Sequence, residues 1–300
     1  MTGRRTGARQ PLSGRVAVVT GAARGLGACL ARALVRRGAT VALVGLEAAA
    51  LERLARSYPG RAYGWSVDVT DRDALAECAD DVQRRLGPPS VLVANAGVVA
   101  GSPFLQSDPD VWRRVVDVNL VGSAQTVRAF LPGLLATRGY YLQIASLAAL
   151  TPVPMMSAYC ASKAGAEAFA HAVRAEVSPR GVDVGIAYLS WADTDMIHAP
   201  VLRELRAHLP WPMGKVYPPQ PVADRLVRGV ERRATILYGQ PWVRAAQVVR
   251  AGLPGLATRL FRTAMPVLES RGDLAAPGLI GAGGRADDAA RSAARRRKGA

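Results

Sequence analysis

The sequence predicts a doubly wound α/β domain built on a parallel sheet, and three observations carry that prediction. Short runs rich in β-branched and aliphatic residues recur at 16–19, 41–44, 67–69, 91–94, 140–145 and 182–188. Most are apolar throughout rather than alternating, the pattern of strands covered on both faces. Between them lie Ala- and Leu-rich stretches of helical periodicity at 28–37, 74–86, 112–135 and 157–177. The first strand also runs straight into a glycine-rich turn and then a helix, the connection at which such sheets bind ligands. No internal repeat of fixed period is visible.

Bulk composition agrees with this class. The chain has 300 residues, of which half are apolar and 21% charged, values of a globular protein with a substantial core and not of a disordered chain. Its longest apolar runs, such as 182–192, are broken by Asp or Gly and fall short of the ~20 residues of a spanning helix, so no membrane span is predicted. Lys plus Arg number 39 against 23 acids, a formal charge of +16. The excess is arginine, gathered partly at Arg4, Arg5 and Arg9 and in the run 295–298. Flanked by Gly, Ala and Asp, that run reads as a solvated tail, and no nucleic-acid partner is expected. Cys29, Cys78 and Cys160 lack paired spacing and a nearby His, so neither a disulfide nor a metal site is expected. Without an apolar leader segment ahead of the first strand, the expected location is cytoplasmic.

The pattern changes after Asp195. Residues 195–221, rich in Pro, Leu, Trp and Met, read as a helical lid, 222–233 as a further helix and 234–238 as a last short strand. A flexible 1–13 is thus expected ahead of a single domain over 14–240. A basic helical extension over 241–270, interrupted by Pro254 and Pro266, and a disordered tail over 271–300 are expected behind it.

The turn after the first strand is Thr20-Gly21-Ala22-Ala23-Arg24-Gly25-Leu26-Gly27. Gly21 permits the tight turn, Gly25 lets backbone approach a pyrophosphate, and Gly27 lets helix and strand pack closely, with the phosphates at the positive end of the helix. A strand before and a helix after supply the context that such a turn requires. At the end of the second strand stands Gly45-Leu46-Glu47. Gly45 falls where an acid selecting the ribose 2′-hydroxyl would stand, so nothing there repels a 2′-phosphate, and the Arg24 guanidinium suits one. Glu47 is the competing partner for the ribose. The pattern favours NADP(H) over NAD(H).

Tyr159 and Lys163 stand four residues apart, on one face of a helix. A phenol titrating near 10 is a poor acid–base at neutral pH, and a neighbouring ammonium lowers that value. Ser146 follows the strand at 140–145, at the carboxyl edge where α/β sheets bind ligands, and its hydroxyl can hold a carbonyl.

The spacing TGxxxGxG, with Asp68, Asn95-Ala96-Gly97 and Tyr159-Cys160-Ala161-Ser162-Lys163, resembles the short-chain dehydrogenase/reductase family over about 14–238. The resemblance implies a Rossmann fold and a catalytic tetrad of Asn119, Ser146, Tyr159 and Lys163. In its terms Tyr159 exchanges the proton at the substrate oxygen, Lys163 tunes Tyr159 and binds the nicotinamide ribose, and Ser146 positions the carbonyl. Asn119, opening a helix, anchors a water against Lys163. The implied cofactor contacts are Thr20, Gly21, Arg24, Gly25, Leu26 and Gly27, then Asp68 and Val69 toward the adenine, Asn95, Ala96 and Gly97 along the cleft, Tyr159 and Lys163, and Thr194 at the carboxamide. One stretch departs: Leu189-Ser190-Trp191-Ala192-Asp193-Thr194 occupies the place of the family's Pro-Gly.

The expected reaction is interconversion of an alcohol and its ketone or aldehyde by hydride transfer. Met196, Ile197, Leu202, Leu205, Leu209, Trp211 and Met213 in the lid, with Leu147, Pro154, Met155 and Met156, point to an apolar small-molecule substrate. A homodimer or homotetramer is implied by the family. Two other readings stay open. One is a nucleotide sensor without catalysis. The other is a reductase of lipophilic substrates held at a membrane surface by 243–268, where Arg244, Arg250, Arg259 and Arg262 alternate with Val, Leu and Phe. The same segment also reads as a cover for the sheet edge or as a subunit contact.

Overall fold

A computed structural model describes residues 11–270 and 278–298. Strands β1 (Val16–Thr20), β2 (Thr40–Gly45), β3 (Ala62–Ser66), β4 (Val91–Ala94), β5 (Tyr140–Ile144), β6 (Asp183–Tyr188) and β7 (Ile236–Tyr238) form one sheet. Their order is β3-β2-β1-β4-β5-β6-β7, and each neighbouring pair is parallel. This is the expected Rossmann-like α/β fold. The order reverses between β1 and β4, which opens a crevice at their carboxyl ends.

Helices cover both faces: α1 (Gly25–Arg36), α2 (Ala48–Arg56), α3 (Arg72–Leu86), α4 (Pro109–Val116), α5 (Gly122–Thr137), α6 (Ser157–Val177), α7 (Pro200–Ala207) and α8 (Pro219–Glu231). The period-2 geometry of β1 explains its wholly apolar sequence. Ala17 and Val19 pack with Leu34 of α1 and Leu226 of α8, whereas Val16 and Val18 pack with Val82 of α3 and Phe130 of α5. Aspartates set the helix starts. Asp71 accepts from the Asp73 and Ala74 N–H groups ahead of α3, and Asp108 accepts from those of Asp110 and Val111 ahead of α4, where Pro109 takes the first helical position.

Four expectations need correction. The third strand lies at Ala62–Ser66, not at 67–69. It is the edge of the sheet and half exposed, so its Tyr63, Gly64 and Ser66 lack the apolar run of an inner strand, and Val67-Asp68-Val69 is the connection that follows. The helical stretch 112–135 is interrupted: a π turn at Asp117–Val121 joins α4 to α5. Asn119 therefore sits within a wide turn of a continuous helical rod instead of opening a helix. At the N-terminus, residues 1–10 lie outside the described residues, but Leu12 is buried and its N–H donates to the Arg37 carbonyl oxygen at 3.0 Å.

The fourth correction concerns the C-terminus. The domain does not end near Gln240, which is itself fully buried. After it come α9 (Val243–Val248), α10 (Leu253–Ser270) and α11 (Gly281–Lys298). Val243, Leu253 and Leu279 join the core under α5 and α6, and Phe261 and Ile280 join a third cluster with Val201 and Leu205. Residues 278–298 thus fold onto the domain, where a disordered tail is expected. After Leu279 and Ile280 their Ala- and Arg-rich composition lacks bulky apolar side chains but has high helix propensity. Residues 271–277 and 299–300 lie outside the described residues. No helix among the described residues is long and apolar enough to cross a membrane.

Candidate active site

A cavity of about 390 Å³ lies at the carboxyl ends of the central strands, and the glycine turn, Asp68, Asn95-Ala96-Gly97, Ser146, Tyr159, Lys163 and Thr194 all reach it. Gly21 and Gly25 have φ of +65° and +51°, conformations that favour glycine. A Cβ on Gly27 would overlap the Gly21 carbonyl oxygen. Thr20 and Asn95 then stitch two crossovers together. The Thr20 hydroxyl accepts from the Asn95 and Ala96 N–H groups at 3.1 Å each, and Asn95 Nδ2 donates to the Thr20 carbonyl oxygen at 2.9 Å. The turn is thereby held rigid, with the α1 N-terminus facing the cavity.

Arg24 forms an ion pair with Glu47, and its second terminal nitrogen lies 3.9 Å from Asp195. The two residues that stand as rivals for the ribose in the sequence are partners in the fold. Asp68 Oδ1 accepts from the Thr70 N–H and hydroxyl at 2.9 and 2.8 Å, and Oδ2 accepts from Arg114 at 2.7 Å. Burial pushes the Asp68 carboxyl up, but the Thr70 N–H and the Arg114 guanidinium outweigh it and hold it below its ordinary value.

The four tetrad positions line or adjoin the same end of the cavity. Asn119 Oδ1 accepts from the Val98 N–H at 2.8 Å, while Nδ2 donates to the Val98 carbonyl oxygen at 2.9 Å and to the Ser162 hydroxyl at 3.0 Å. Its side chain therefore pins the segment after Gly97 to α6. Lys163 Nζ donates to the Ile144 carbonyl oxygen at 3.1 Å and lies 5.7 Å from the centre of the Tyr159 ring. Burial draws this ammonium down to about 8. Burial also pushes the Tyr159 phenol up to about 12, against a hydrogen bond with Ser146 that lowers it. Desolvation is the largest influence on both groups.

Beyond Tyr159 the cavity is apolar. Met196, Ile197, Leu202, Leu209 and Met213 of the lid reach it, whereas Leu205 is buried beneath and Trp211, at 85% exposure, faces solvent. The opposite wall comes from α10, with Leu253, Ala257, Leu260 and Phe261. That wall carries no motif and is missed by sequence reasoning. So is the support for Leu189–Thr194: Gln240 Oε1 accepts from the Ser190 N–H at 2.8 Å, and Tyr217 bridges Ala192. These contacts order the backbone where the family's Pro-Gly is absent, and Thr194 comes to lie against Gly25, where a Cβ would stand 3.2 Å from its methyl.

Comparison with known proteins shows the family and the fold. The model of the short chain dehydrogenase family matches residues 15–203, and the chain belongs to that family of oxidoreductases. It is 35% identical over 222 residues to glycine betaine reductase ATRR of Emericella nidulans, a match to 72% of this chain and 18% of that protein. It is 32% identical over 218 residues to inactive 2-(S)-hydroxypropyl-CoM dehydrogenase 2 of Xanthobacter autotrophicus, covering 70% of this chain and 95% of the relative. Among solved structures it is similar to a metagenomic short-chain oxidoreductase in complex with NADP, with a TM-score of 0.64 and 30% identity over 76% of this chain and 97% of the other.

Proposed function

We propose that the protein is an NADP(H)-dependent oxidoreductase that interconverts an apolar alcohol and its ketone or aldehyde. One observation carries this reading: a half-buried Tyr159, hydrogen-bonded to Ser146 and flanked by Lys163, lines one cavity together with the glycine turn and the apolar residues of the lid and α10. The glycine end fits a dinucleotide, because glycine at 21 and 27, where a Cβ would meet the Ala96 backbone and the Gly21 carbonyl oxygen, keeps the turn tight ahead of the α1 N-terminus. The N–H groups at the start of α1 would hold the pyrophosphate, Asp68 the adenine, Lys163 the nicotinamide ribose and Thr194 the carboxamide. When bound, the nicotinamide supplies or accepts the hydride.

The chain's own residues handle the proton. In reduction the Ser146 hydroxyl donates to the substrate carbonyl oxygen and orients it, and Tyr159 donates its phenolic proton to that oxygen. In oxidation the Tyr159 phenolate takes the proton from the alcohol and becomes the phenol. A phenol pushed up to about 12 is protonated at neutral pH and so stands in its donating form. The Lys163 ammonium limits the cost of the phenolate by its charge. Asn119 is a positioning residue that fixes the distance between the Gly97 segment and α6. The NADP(H) preference is supported by Arg24, by the absence of an acid at Gly45, and by the NADP held in the similar metagenomic oxidoreductase.

The test is a fluorescence titration with NADPH and NADH, followed by turnover of apolar ketones. Tyr159→Phe should abolish turnover and leave nucleotide affinity nearly unchanged. Persistent turnover in that variant would remove Tyr159 as the acid–base, and nucleotide binding without turnover by the unaltered chain would favour a sensor.

A further inference from the structure

Helix α11 lies outside the stretch matched by the family model, yet it forms part of the wall of the cavity. Gly283, Gly284, Ala286 and Asp287 line the same space as Gly21 and Asp68. Just ahead of the helix, the Ile280 N–H donates to the Val99 carbonyl oxygen at 2.7 Å, and its side chain packs with Val201 and Phe261 at the substrate end. Gly281, at φ +80°, lets the chain pass against the Met196 backbone, which a Cβ would approach to 3.0 Å. Seven residues on from Ile280, roughly 10 Å along a helix axis, Asp287 reaches the opposite end of the cavity.

Asp287 is 1% exposed and is held by one guanidinium. Arg114 Nε donates to both of its oxygens at 3.0 Å, and Nη2 donates to Oδ1 at 2.5 Å. The same Arg114 donates to Asp68 Oδ2 and to the Thr70 hydroxyl, each at 2.7 Å. Two carboxylates thus share one cation, and the cluster keeps a net negative charge. Asp68 Oδ2 and Asp287 Oδ2 each accept one of these bonds and retain a free lone pair. Such a cluster suits an N–H donor, such as the exocyclic amine of a purine, and repels a phosphate.

We propose that α11 is a clasp over the adenosine end of the dinucleotide. Asp287 joins Asp68 in facing the adenine, and nucleotide release requires the Arg114–Asp287 pair to open. The inference rests on the dinucleotide reading above. It makes residues 281–287 part of the nucleotide site and ties the rate of cofactor exchange to a helix at the far end of the chain.

The experiment uses the full chain and NADPH. Release is followed by stopped-flow loss of nicotinamide fluorescence on mixing the complex with excess NADP. Asp287→Asn should release NADPH about five- to tenfold faster, the size of an ordinary coupling between two sites. Gly283→Leu places a side chain where a Cβ meets no protein atom; it should weaken NADPH binding without lowering the thermal midpoint of the nucleotide-free protein. It also keeps the test open if Asp287→Asn fails to fold. Hydrogen exchange over 281–298 should slow when NADPH is added. Wild-type binding with unchanged release in Asp287→Asn and unchanged exchange over 281–298 would overturn the clasp alone. Tighter binding in both variants would overturn it too, by making α11 an obstruction. Failure of the unaltered chain to bind either nicotinamide dinucleotide would remove the dinucleotide reading itself, and the clasp with it.

Discussion

Lys163 shows how far a single residue can set function against stability. An ammonium titrating at 10.5 in the open is drawn down to about 8 by burial. Between those values the unfolded chain binds more protons than the folded one, so this group makes stability rise with pH across that window. Below it both states are protonated and the folded chain carries the full penalty of a buried charge, up to about 3 kcal/mol for a shift of this size. Lys163→Met is therefore expected to raise the thermal unfolding midpoint at pH 7 while eliminating turnover. The gap from the unaltered protein should shrink by pH 10, and a lower midpoint at pH 7 would show that the Ile144 hydrogen bond outweighs desolvation. The identity of Lys163, Tyr159 and Ser146 as neighbours is legible in the sequence, because strand ends and a helical i,i+4 spacing bring them to one edge of the sheet. Their titration is not legible, since burial sums contributions from the lid and α10, neither of which carries a motif.

At the level of elements, α10 turns a basic amphipathic sequence to a use that its pattern leaves open. Leu253, Ala257, Phe261 and Ala264 recur at helical spacing and are buried, while Arg259 and Arg262 face solvent. The stripe that a lipid-bound helix would lay on the membrane is turned inward, toward the cavity and Val201. Periodicity shows that such a stripe exists but not what it meets, because that depends on where the chain turns after β7. Phe261 borders open cavity on one side, so Phe261→Ala should destabilise the fold by less than the ~3–5 kcal/mol of a closed core. Its main expected effect is a raised KM for bulky apolar ketones with unchanged NADPH affinity, read by steady-state kinetics beside a nucleotide titration. An unchanged KM would exclude α10 from the substrate wall.

For the whole molecule, the Asp68–Arg114–Asp287 cluster joins β3's crossover, α4 and α11 into one unit, so its ionisation bears on the entire fold. The Asp68 carboxyl is held below its ordinary 3.8 despite burial. Its stabilising contribution is complete above that value and is lost as pH falls through the lower folded value. The thermal midpoint should therefore drop on acidification below pH 3.8, and Asp68→Asn should drop less steeply. Equal slopes in a calorimetric pH series would show that the cluster does not govern acid stability. The parallel strands and the glycine turn follow from patterns within short windows. The union of 15–203 with α11 does not, because its contacts, among them an ion pair spanning 173 residues, join parts of the chain far apart in sequence. The π turn at Asp117–Val121 gives that union a geometric dependence. It amounts to one extra residue wound into the rod, with Arg114 on one side of it and Ser123 on the other. Removing a single residue there would leave every hydrophobic side chain of α4 and α5 in the chain and the helix intact. Yet one part would turn against the other by about 100°. The phase of one helix thus decides whether Arg114 meets Asp287 while Asn119 still grips Val98, so length in this segment is constrained more tightly than composition.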